Sequence, residues 1–324
     1  MPLAGAEIAC AEHDPDAIRD VWAALAARRA RPTIFLTPEW LGLARAHHGR
    51  PVTLAVGDPP YGIVPLARDD DGTLRFAGGP ESDLQDVLAP AGTEREVAGA
   101  FAEWLVRAAP PRVSLELVPE DAPTLELVAE RLSRAGWSVT RSRQDTSPYI
   151  GLPETFEAYV ASLPRVERHE LRRKLRRLDN AGHVEARPAR ADEAGAVLER
   201  FFALHRLAPG RKGAFMTAAM ESYFRRVAAA LAPLGRLHLG TVRVDGEIAA
   251  VTFGFVYGGT LASYNSAYDP RFRDLAVGLA AHAYDIRSAI LAGLGTYDVL
   301  RGDERYKYDL GGKDRVLERL EATP

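Results

Sequence analysis

The chain has 324 residues, with 41 lysines and arginines against 44 acidic residues, and its formal net charge is −3. At roughly 100–200 residues per domain, this length predicts about two domains. The acidic balance argues against a protein built mainly to coat nucleic acid or an anionic membrane. The single cysteine, Cys10, excludes an intramolecular disulfide and a cysteine-based zinc site.

Neither the amino-terminal region nor the longest uncharged run has the pattern of a membrane segment. Glu7, Glu12 and Asp14 argue against a secretory signal. Residues 248–268 carry no charge, but glycines interrupt them and their apolar residues alternate as in strands. We therefore expect a cytoplasmic protein without a membrane span.

The first half of the chain is predicted to contain short strands followed by helices. Turns rich in Asp, Pro and Gly separate the first strands. Thr93 and Glu96 have the spacing of a capping box ahead of the first helix. The predicted elements are strands at 52–56, 62–67, 73–77 and 112–118 and helices at 97–108 and 124–135.

The second half is predicted to contain three helices, then a run of strands around a fourth helix. Asp245-Gly246 separates two β-rich runs and is typical of a type I′ hairpin turn, because both positions need a positive φ. Apolar residues recur every three or four positions from Leu275 to Ile290, which predicts an amphipathic helix. The other predicted elements are helices at 155–181, 191–207 and 218–232 and strands at 237–244, 247–256, 260–268 and 296–300.

Both halves therefore run through three strands, a helix and another strand, although their sequences are not repeated. This order predicts an α+β fold of two modules, each with a mixed, mostly antiparallel sheet flanked by helices. The expected modules are residues 1–146 and 147–324.

The helix that follows Leu275 carries Gly278 near its predicted start. Free N–H groups and the positive end of the helix dipole favour an anion there, and a glycine lets a pyrophosphate approach the backbone closely. The alternative is a glycine needed only for packing of the helix on the sheet.

A charged segment, Arg301 to Lys307, directly follows the last predicted strand. Loops beyond strand ends often carry function because the sheet positions them. Asp303 or Glu304 could accept a proton. Tyr306 could donate one, and Lys307 could stabilise an oxyanion. The alternative is a solvated turn.

The predicted helix at 155–181 includes an arginine-rich run in which Arg168, Arg172 and Arg176 share one face. Such a face is either solvated or a clamp for a phosphorylated ligand. The overall charge argues against DNA recognition by this helix.

The remaining candidates for metal or nucleophile chemistry are weaker. His47, His48 and His205 lack spaced partner ligands, so we expect no metal site. The sequence contains neither a Gly-x-Ser-x-Gly elbow nor a Gly-x4-Gly-Lys-Ser/Thr phosphate loop.

Together these features resemble the CelD/BcsL-type acetyltransferases of the GNAT superfamily over nearly the whole chain. The resemblance implies two GNAT modules in tandem, as in the FemABX aminoacyltransferases. Residues 1–146 would be a degenerate module that shapes the acceptor cleft, and residues 147–324 the acyltransferase module. The segments that carry the resemblance are Phe35 to Leu41, Asp83 to Asp86, Ser147 to Pro153 and, most specifically, Arg301 to Lys307.

The resemblance implies acyl transfer from acetyl-CoA or another acyl-CoA to an amine or hydroxyl of a small-molecule, glycan or peptidoglycan-precursor acceptor. In GNAT enzymes the CoA pyrophosphate binds a Gln/Arg-x-x-Gly-x-Gly/Ala helix start. Gly278 and Ala280 match this motif, whereas Leu275 replaces its polar first residue. The expected catalytic residues are Asp303, Glu304, Tyr306 and Lys307; the cofactor-binding residues are Val277, Gly278, Leu279 and Ala280; and the substrate-binding residues are Arg168, Arg172, Asp86, Tyr264 and Arg301.

Two alternatives remain open. A FemABX-like enzyme would take its donor from aminoacyl-tRNA, which the pI of about 6.3 disfavours although a local basic face could suffice. A non-catalytic binding protein could also have kept the fold, and the apolar Leu275 is compatible with that role.

Overall fold

The computed structural model describes residues 8–44 and 49–324, with only the backbone at Arg211 and Lys212. The chain forms two units: one contains the chain up to Thr146 together with Arg315–Pro324, and the other is Ser147–Asp314. Each unit contains a mixed, mostly antiparallel sheet flanked by helices, which confirms the predicted fold class. Over the described residues, no helix combines the length and apolarity needed to cross a membrane. His47 and His48 lie outside the described residues.

The first unit is built on a seven-stranded sheet in the order β1-β2-β3-β4-β5, then the strand formed by residues 316–323, then β6. Helices α3 and α4 pack on this sheet and bury Phe101, Leu105 and Val128 in its core. The elements are β1 Cys10–His13, α1 Arg19–Ala27, α2 Pro38–Ala44, β2 Arg50–Val56, β3 Gly62–Arg68, β4 Leu74–Phe76, α3 Glu94–Ala108, β5 Val113–Pro119, α4 Thr124–Arg134 and β6 Ser138–Thr146.

The second unit is built on a six-stranded sheet in the order β7-β12-β11-β10-β9-β8. The turn between β9 and β10 has φ of 51° at Asp245 and 84° at Gly246, as the Asp-Gly pair predicts. The elements are β7 Tyr149–Gly151, α5 Phe156–Ser162, α6 Arg165–Asp179, β8 Val184–Pro188, α7 Ala194–Arg206, α8 Arg211–Phe215, α9 Ala218–Leu231, β9 Leu237–Val244, β10 Glu247–Tyr257, β11 Thr260–Tyr268, α10 Val277–Leu291, β12 Thr296–Asp298 and α11 Arg305–Asp309, and the last strand of the chain is β13 Val316–Thr323.

The single helix predicted at 155–181 is two helices. Leu163 has an extended backbone with ψ of 147°, and α6 begins immediately after Pro164. A proline disfavours helical geometry in the residue before it, so α5 ends at Ser162. The arginine-rich run is therefore a separate helix.

The capping box predicted at Thr93 and Glu96 does not form. The Thr93 hydroxyl donates to the Pro90 carbonyl at 2.9 Å, and Thr93 makes no side-chain cap bond to α3. The Glu96 carboxylate accepts a hydrogen bond from the Tyr61 hydroxyl at 2.8 Å instead of reaching back to the helix start. Both side chains therefore bond to groups outside the helix, Pro90 and Tyr61, which the local capping pattern does not indicate.

The carboxyl-terminal strand lies in the first unit. The position of residues 315–324 in the chain predicts that they belong to the second module, but β13 pairs antiparallel with both β5 and β6. Leu317 and Leu320 are fully buried, and the Glu321 carboxylate accepts hydrogen bonds from Arg112 and Ser114. The first unit thus needs a strand from the far end of the chain.

A loop segment completes the sheet of the first unit beyond β4. Strand β4 pairs with β5 only at Leu74 and Arg75. Farther along, the Gln85 N–H donates to the Leu117 carbonyl at 3.0 Å, and Leu88 bridges Ile63 of β3. Residues 85–88 therefore occupy the gap that would otherwise open between β3 and β5.

We expect Leu320→Ala to lower the free energy of unfolding by about 2–5 kcal/mol, because it leaves a cavity in the core that β13 shares with the first unit. Arg319→Ala, at the exposed neighbouring position, is the matched control and should change it by less than about 0.5 kcal/mol. Urea unfolding followed by circular dichroism measures both. Equal effects of the two substitutions would contradict the placement of β13.

Candidate functional site

A β-bulge lies in the middle of β11. Phe253 of β10 faces Asn265 and the next residue, Gly254, faces Ser263, so Tyr264 is the extra residue. On its other edge β11 pairs with β12 only over Thr260–Ala262, and the rest of that edge has no strand neighbour in the described part of the chain. The bulge therefore lies beside an opening between two parallel strands.

Side chains of β10, α9 and α7 contact the residues of the bulge. The ring of Tyr264, which is half-buried, packs with its centroid 5.3 Å from that of Phe255 and 5.9 Å from that of Phe224. The Asn265 side-chain oxygen is 2.9 Å from Nε2 of the buried His205 on α7. Since that oxygen only accepts, Nε2 is assigned as the donor.

Helix α10 begins close to the carboxyl end of β11. Its first intrahelical bond runs from the Ala280 N–H to the Ala276 carbonyl, so the N–H groups of Val277, Gly278 and Leu279 precede the hydrogen-bonded ladder. A Cβ on Gly278 would lie 2.9 Å from Cδ1 of Tyr268. Gly278 is thus needed for packing, and its position at the helix start also fits the anion-site interpretation.

A 3₁₀ turn, Pro270–Leu275, presents this helix start and is held by Asp269. The buried Asp269 carboxylate accepts hydrogen bonds from the Arg271 backbone and side chain, and from the Arg200 guanidinium at 3.0 Å. These bonds, with that of the Arg271 side chain foremost, lower the pKa of Asp269 to about 2. Arg273 in the same turn is exposed and has no ion-pair partner among the described residues.

Lys307 is enclosed by the segment that precedes it. The residue is 3% exposed, and its ammonium donates to the carbonyls of Leu300 at 3.0 Å, Arg301 at 2.6 Å and Gly302 at 3.3 Å. The Glu304 carboxylate lies 3.0 Å from the same nitrogen. These partners use the full donor capacity of an ammonium group, so Lys307, expected as an oxyanion donor, fixes the loop in this structure.

The other members of the Arg301-to-Lys307 segment differ in exposure. Asp303 is exposed and has no ion pair within the described residues, whereas Glu304 is paired with Lys307. The Tyr306 ring stacks on His282, and its hydroxyl has no hydrogen-bond partner among the residues described. Burial raises the pKa of Tyr306 well above its ordinary value, with a smaller contribution from Glu304. Tyr306 is therefore protonated at neutral pH and has a free donor.

A groove of 930 Å³ runs along α6, and arginines are the most frequent of its lining residues. Its two carboxylates already have partners: Glu170 pairs with Arg173, and Asp179 accepts a hydrogen bond from Tyr284. The lining arginines make no ion pairs among the described residues; they are Arg165, Arg168, Arg172 and Arg176. The groove is thus an electropositive surface on the second unit.

Asp86, expected to bind substrate, lies in a buried network of the first unit. One carboxylate oxygen pairs with Arg29 at 3.1 Å, and the other accepts from the Thr124 hydroxyl at 2.6 Å and from the Val87 N–H at 2.8 Å. Both oxygens are therefore engaged in structural bonds. Tyr264, Gly278, Tyr306 and Lys307, by contrast, lie on neighbouring elements of the second unit.

The comparisons with known proteins agree with this architecture. Residues 165–308 match the family model described as an acetyltransferase (GNAT) domain, and this match lies wholly within the second unit. This part of the chain is therefore similar to a GNAT domain. No protein with a curated description matches the sequence.

Solved structures resemble the whole chain and not only the GNAT domain. A crystal structure of FemX superimposes with a TM-score of 0.69 at 13% identity, covering 96% of each chain. A conserved protein of unknown function from Bacteroides thetaiotaomicron gives 0.65 at 13%, covering 98% of this chain and 100% of the other. A tandem GNAT protein from the clavulanic acid pathway gives 0.50 at 14%, covering 97% and 98%. At these identities the likeness concerns the fold.

We expect Asp269→Asn to destabilise the protein at neutral pH by about 1–2 kcal/mol, a modest figure because Arg271 is largely exposed and water screens its charge. The folded-state pKa of Asp269 lies below the ordinary value of 3.8, so its contribution is present above about pH 4 and is lost as the pH falls towards 2. Urea unfolding at neutral and acidic pH measures this difference.

The exposed Asp274→Asn in the same turn is the matched control and should show no such pH-dependent difference from wild type. An Asp269→Asn deficit that persists undiminished at pH 2 would show that the ion pairs of Asp269 are not its source.

Proposed function

We propose that this protein is a GNAT-type acyltransferase that moves an acyl group from acetyl-CoA or another acyl-CoA to an amine or hydroxyl. The observation that carries the proposal is the β11 bulge at Tyr264, which opens beside β12 within the segment that matches an acetyltransferase (GNAT) domain. The resemblance of Arg301 to Lys307 to CelD/BcsL-type acetyltransferases supports the same reaction.

The start of α10 is the proposed site for the pyrophosphate of the donor. The N–H groups of Val277, Gly278 and Leu279 precede the helix ladder, and the helix dipole favours negative charge there. Arg273 supplies a free cation in the adjoining turn and compensates for Leu275, which replaces the polar residue of the GNAT motif.

The backbone at the bulge is the proposed oxyanion site. N–H groups near Tyr264 and Asn265 would donate to the thioester oxygen as negative charge develops on it. Asp303 is the proposed base for the acceptor, because Glu304 is already paired with Lys307. Lys307 is assigned the role of holding the segment from Leu300 to Gly302 in shape.

Tyr306 is the proposed partner of the departing thiolate. Burial raises the pKa of Tyr306 far above that of a thiol, near 8.5, so full proton transfer from the tyrosine to the sulfur is unfavourable. The hydroxyl instead stabilises the thiolate by donating a hydrogen bond, and the thiol proton comes from water.

The α6 groove supports an acceptor that carries phosphate. Arginines bind phosphate through paired N–H donors, and the groove arginines form no ion pairs with carboxylates among the described residues. Arg168 and Arg172 are the proposed contacts, which is compatible with a phosphorylated glycan or peptidoglycan-precursor acceptor. The same groove also favours the second candidate, transfer from aminoacyl-tRNA, as in the FemABX resemblance.

We expect isothermal titration with acetyl-CoA to give a micromolar Kd that Gly278→Glu and Arg273→Glu each weaken at least tenfold, because both put a negative charge beside the proposed pyrophosphate site. Gly195→Glu, on an exposed face of α7 with open space around it, is the matched control. Absence of acetyl-CoA and CoA binding by the intact protein, together with salt-dependent binding of charged tRNA, would favour aminoacyl transfer.

We expect Arg172→Glu to weaken binding of a phosphorylated amino sugar, glucosamine 6-phosphate, about tenfold, because it removes a charge-assisted hydrogen bond. Arg177→Glu, exposed on α6 but outside the groove, should change the Kd by less than twofold. Equal losses in both variants would indicate a general charge effect and no groove site.

A further inference from the structure

A buried polar residue, His282, contacts the strands and the short helix that form the proposed donor site. It lies on α10 and is 3% exposed, among alanines such as Ala281 and Ala283. Its ring nitrogen Nδ1 is 2.8 Å from the Tyr297 hydroxyl of β12 and 3.4 Å from the Ser263 hydroxyl of β11. Its ring stacks on Tyr306 of α11.

The orientation of the imidazole is set by Tyr297. Complete burial raises the pKa of Tyr297 well above its ordinary value, and the nearby Asp285 carboxylate raises it further, so the hydroxyl keeps its proton. We assign that hydroxyl as the donor to Nδ1, so that Nδ1 is the unprotonated nitrogen of the ring. The remaining proton of the neutral ring is on Nε2, an assignment that follows from the hydrogen bonds.

The imidazole in turn supports the ring of Tyr306. The two rings are nearly parallel, at 22°, with centroids 4.9 Å apart. Helix α11 has only five residues, and the Tyr306 hydroxyl has no hydrogen-bond partner in the described chain to orient it. The stacked imidazole is therefore the directional contact that the structure provides for this side chain.

A residue that served only packing at this place would not need polar atoms. The neighbouring α10 positions are filled by alanine, and burying an imidazole is unfavourable unless its nitrogens are hydrogen-bonded. The contacts of His282 are directional ones, to Ser263 beside the bulge, to Tyr297 and to Tyr306.

We infer that His282 is a positioning residue: Tyr297 and Ser263 align its ring, and the ring holds Tyr306 so that the tyrosine hydroxyl faces the sulfur of the donor. This inference rests on the proposed function for the role of Tyr306. The placement of Tyr306 by His282 is a separate property and can be measured without catalysis.

The first measurement is NMR of protein labelled on its tyrosine rings, with Tyr306→Phe used to assign the Tyr306 signal. We expect His282→Leu to shift the Tyr306 signal, because the leucine has no aromatic ring current, whereas Arg287→Ala on the exposed face of α10 should leave it unchanged. An unchanged Tyr306 signal in folded His282→Leu would overturn the inference.

The second measurement is the slow hydrolysis of acetyl-CoA, followed by release of the CoA thiol. We expect His282→Leu to lower kcat about tenfold with KM changed by less than twofold, and His282→Phe, which keeps a ring to stack, to retain more activity. In a Tyr306→Phe background, His282→Leu should have no further effect, since it acts through the missing hydroxyl.

Multiplicative effects of the two substitutions would also overturn the inference, because His282 would then act independently of Tyr306. If His282→Leu does not fold, Tyr297→Phe removes only the aligning hydroxyl and should shift the Tyr306 signal in the same direction; no shift would count against the inference. If wild type neither binds nor hydrolyses acetyl-CoA but the NMR shift is seen, the proposed function fails while the positioning contact stands.

Discussion

The end of pairing between β11 and β12 is the constraint on which the candidate site depends. The two strands are parallel neighbours for three residues, and α10 connects them. Beyond Ala262 this edge of β11 is no longer paired with β12, and the bulge at Tyr264 lies in the unpaired part. A longer ladder would satisfy the same backbone groups with strand hydrogen bonds and leave nothing for a ligand.

The two units differ in what lies beyond the short pairing of their parallel strands, which are β4 and β5 in the first unit and β11 and β12 in the second. In the first unit, residues 85–88 bridge β3 and β5 and fill the place beyond the short β4. In the second unit no strand borders the corresponding edge of β11 over the described residues. This difference is a physical reason to propose that the second unit binds the donor, while the polar turn at Asp83 to Asp86 serves the structure of the first.

Two neighbouring residues of the Arg301-to-Lys307 segment have different surroundings. The Lys307 ammonium donates hydrogen bonds to three consecutive carbonyls. The backbone that presents them has a positive φ at Leu300 and at Gly302. The hydroxyl of Tyr306, one residue earlier, has no hydrogen-bond partner among the residues that the structure describes. The sequence predicts a chemical role for both residues, because their spacing does not distinguish a buried ammonium that holds a loop from an exposed one.

The sequence by itself determined strands β2–β5 and β9–β12, the β9–β10 hairpin, the helix at α10 and the α+β class, because these follow from local periodicity and turn chemistry. It did not indicate β1, β6, β7, β8 or β13. The roles that it predicts for Gly278 and for Arg301–Lys307 stay predictions. Only the tertiary structure decided that β13 completes the first sheet. It also decided that the Asp86 carboxylate is bonded to Arg29 and Thr124, and that His282 stacks on Tyr306. These contacts join residues far apart in the chain, so local sequence patterns do not reveal them. His282 gives a local indication, because it is a polar residue on an otherwise mostly apolar face of α10.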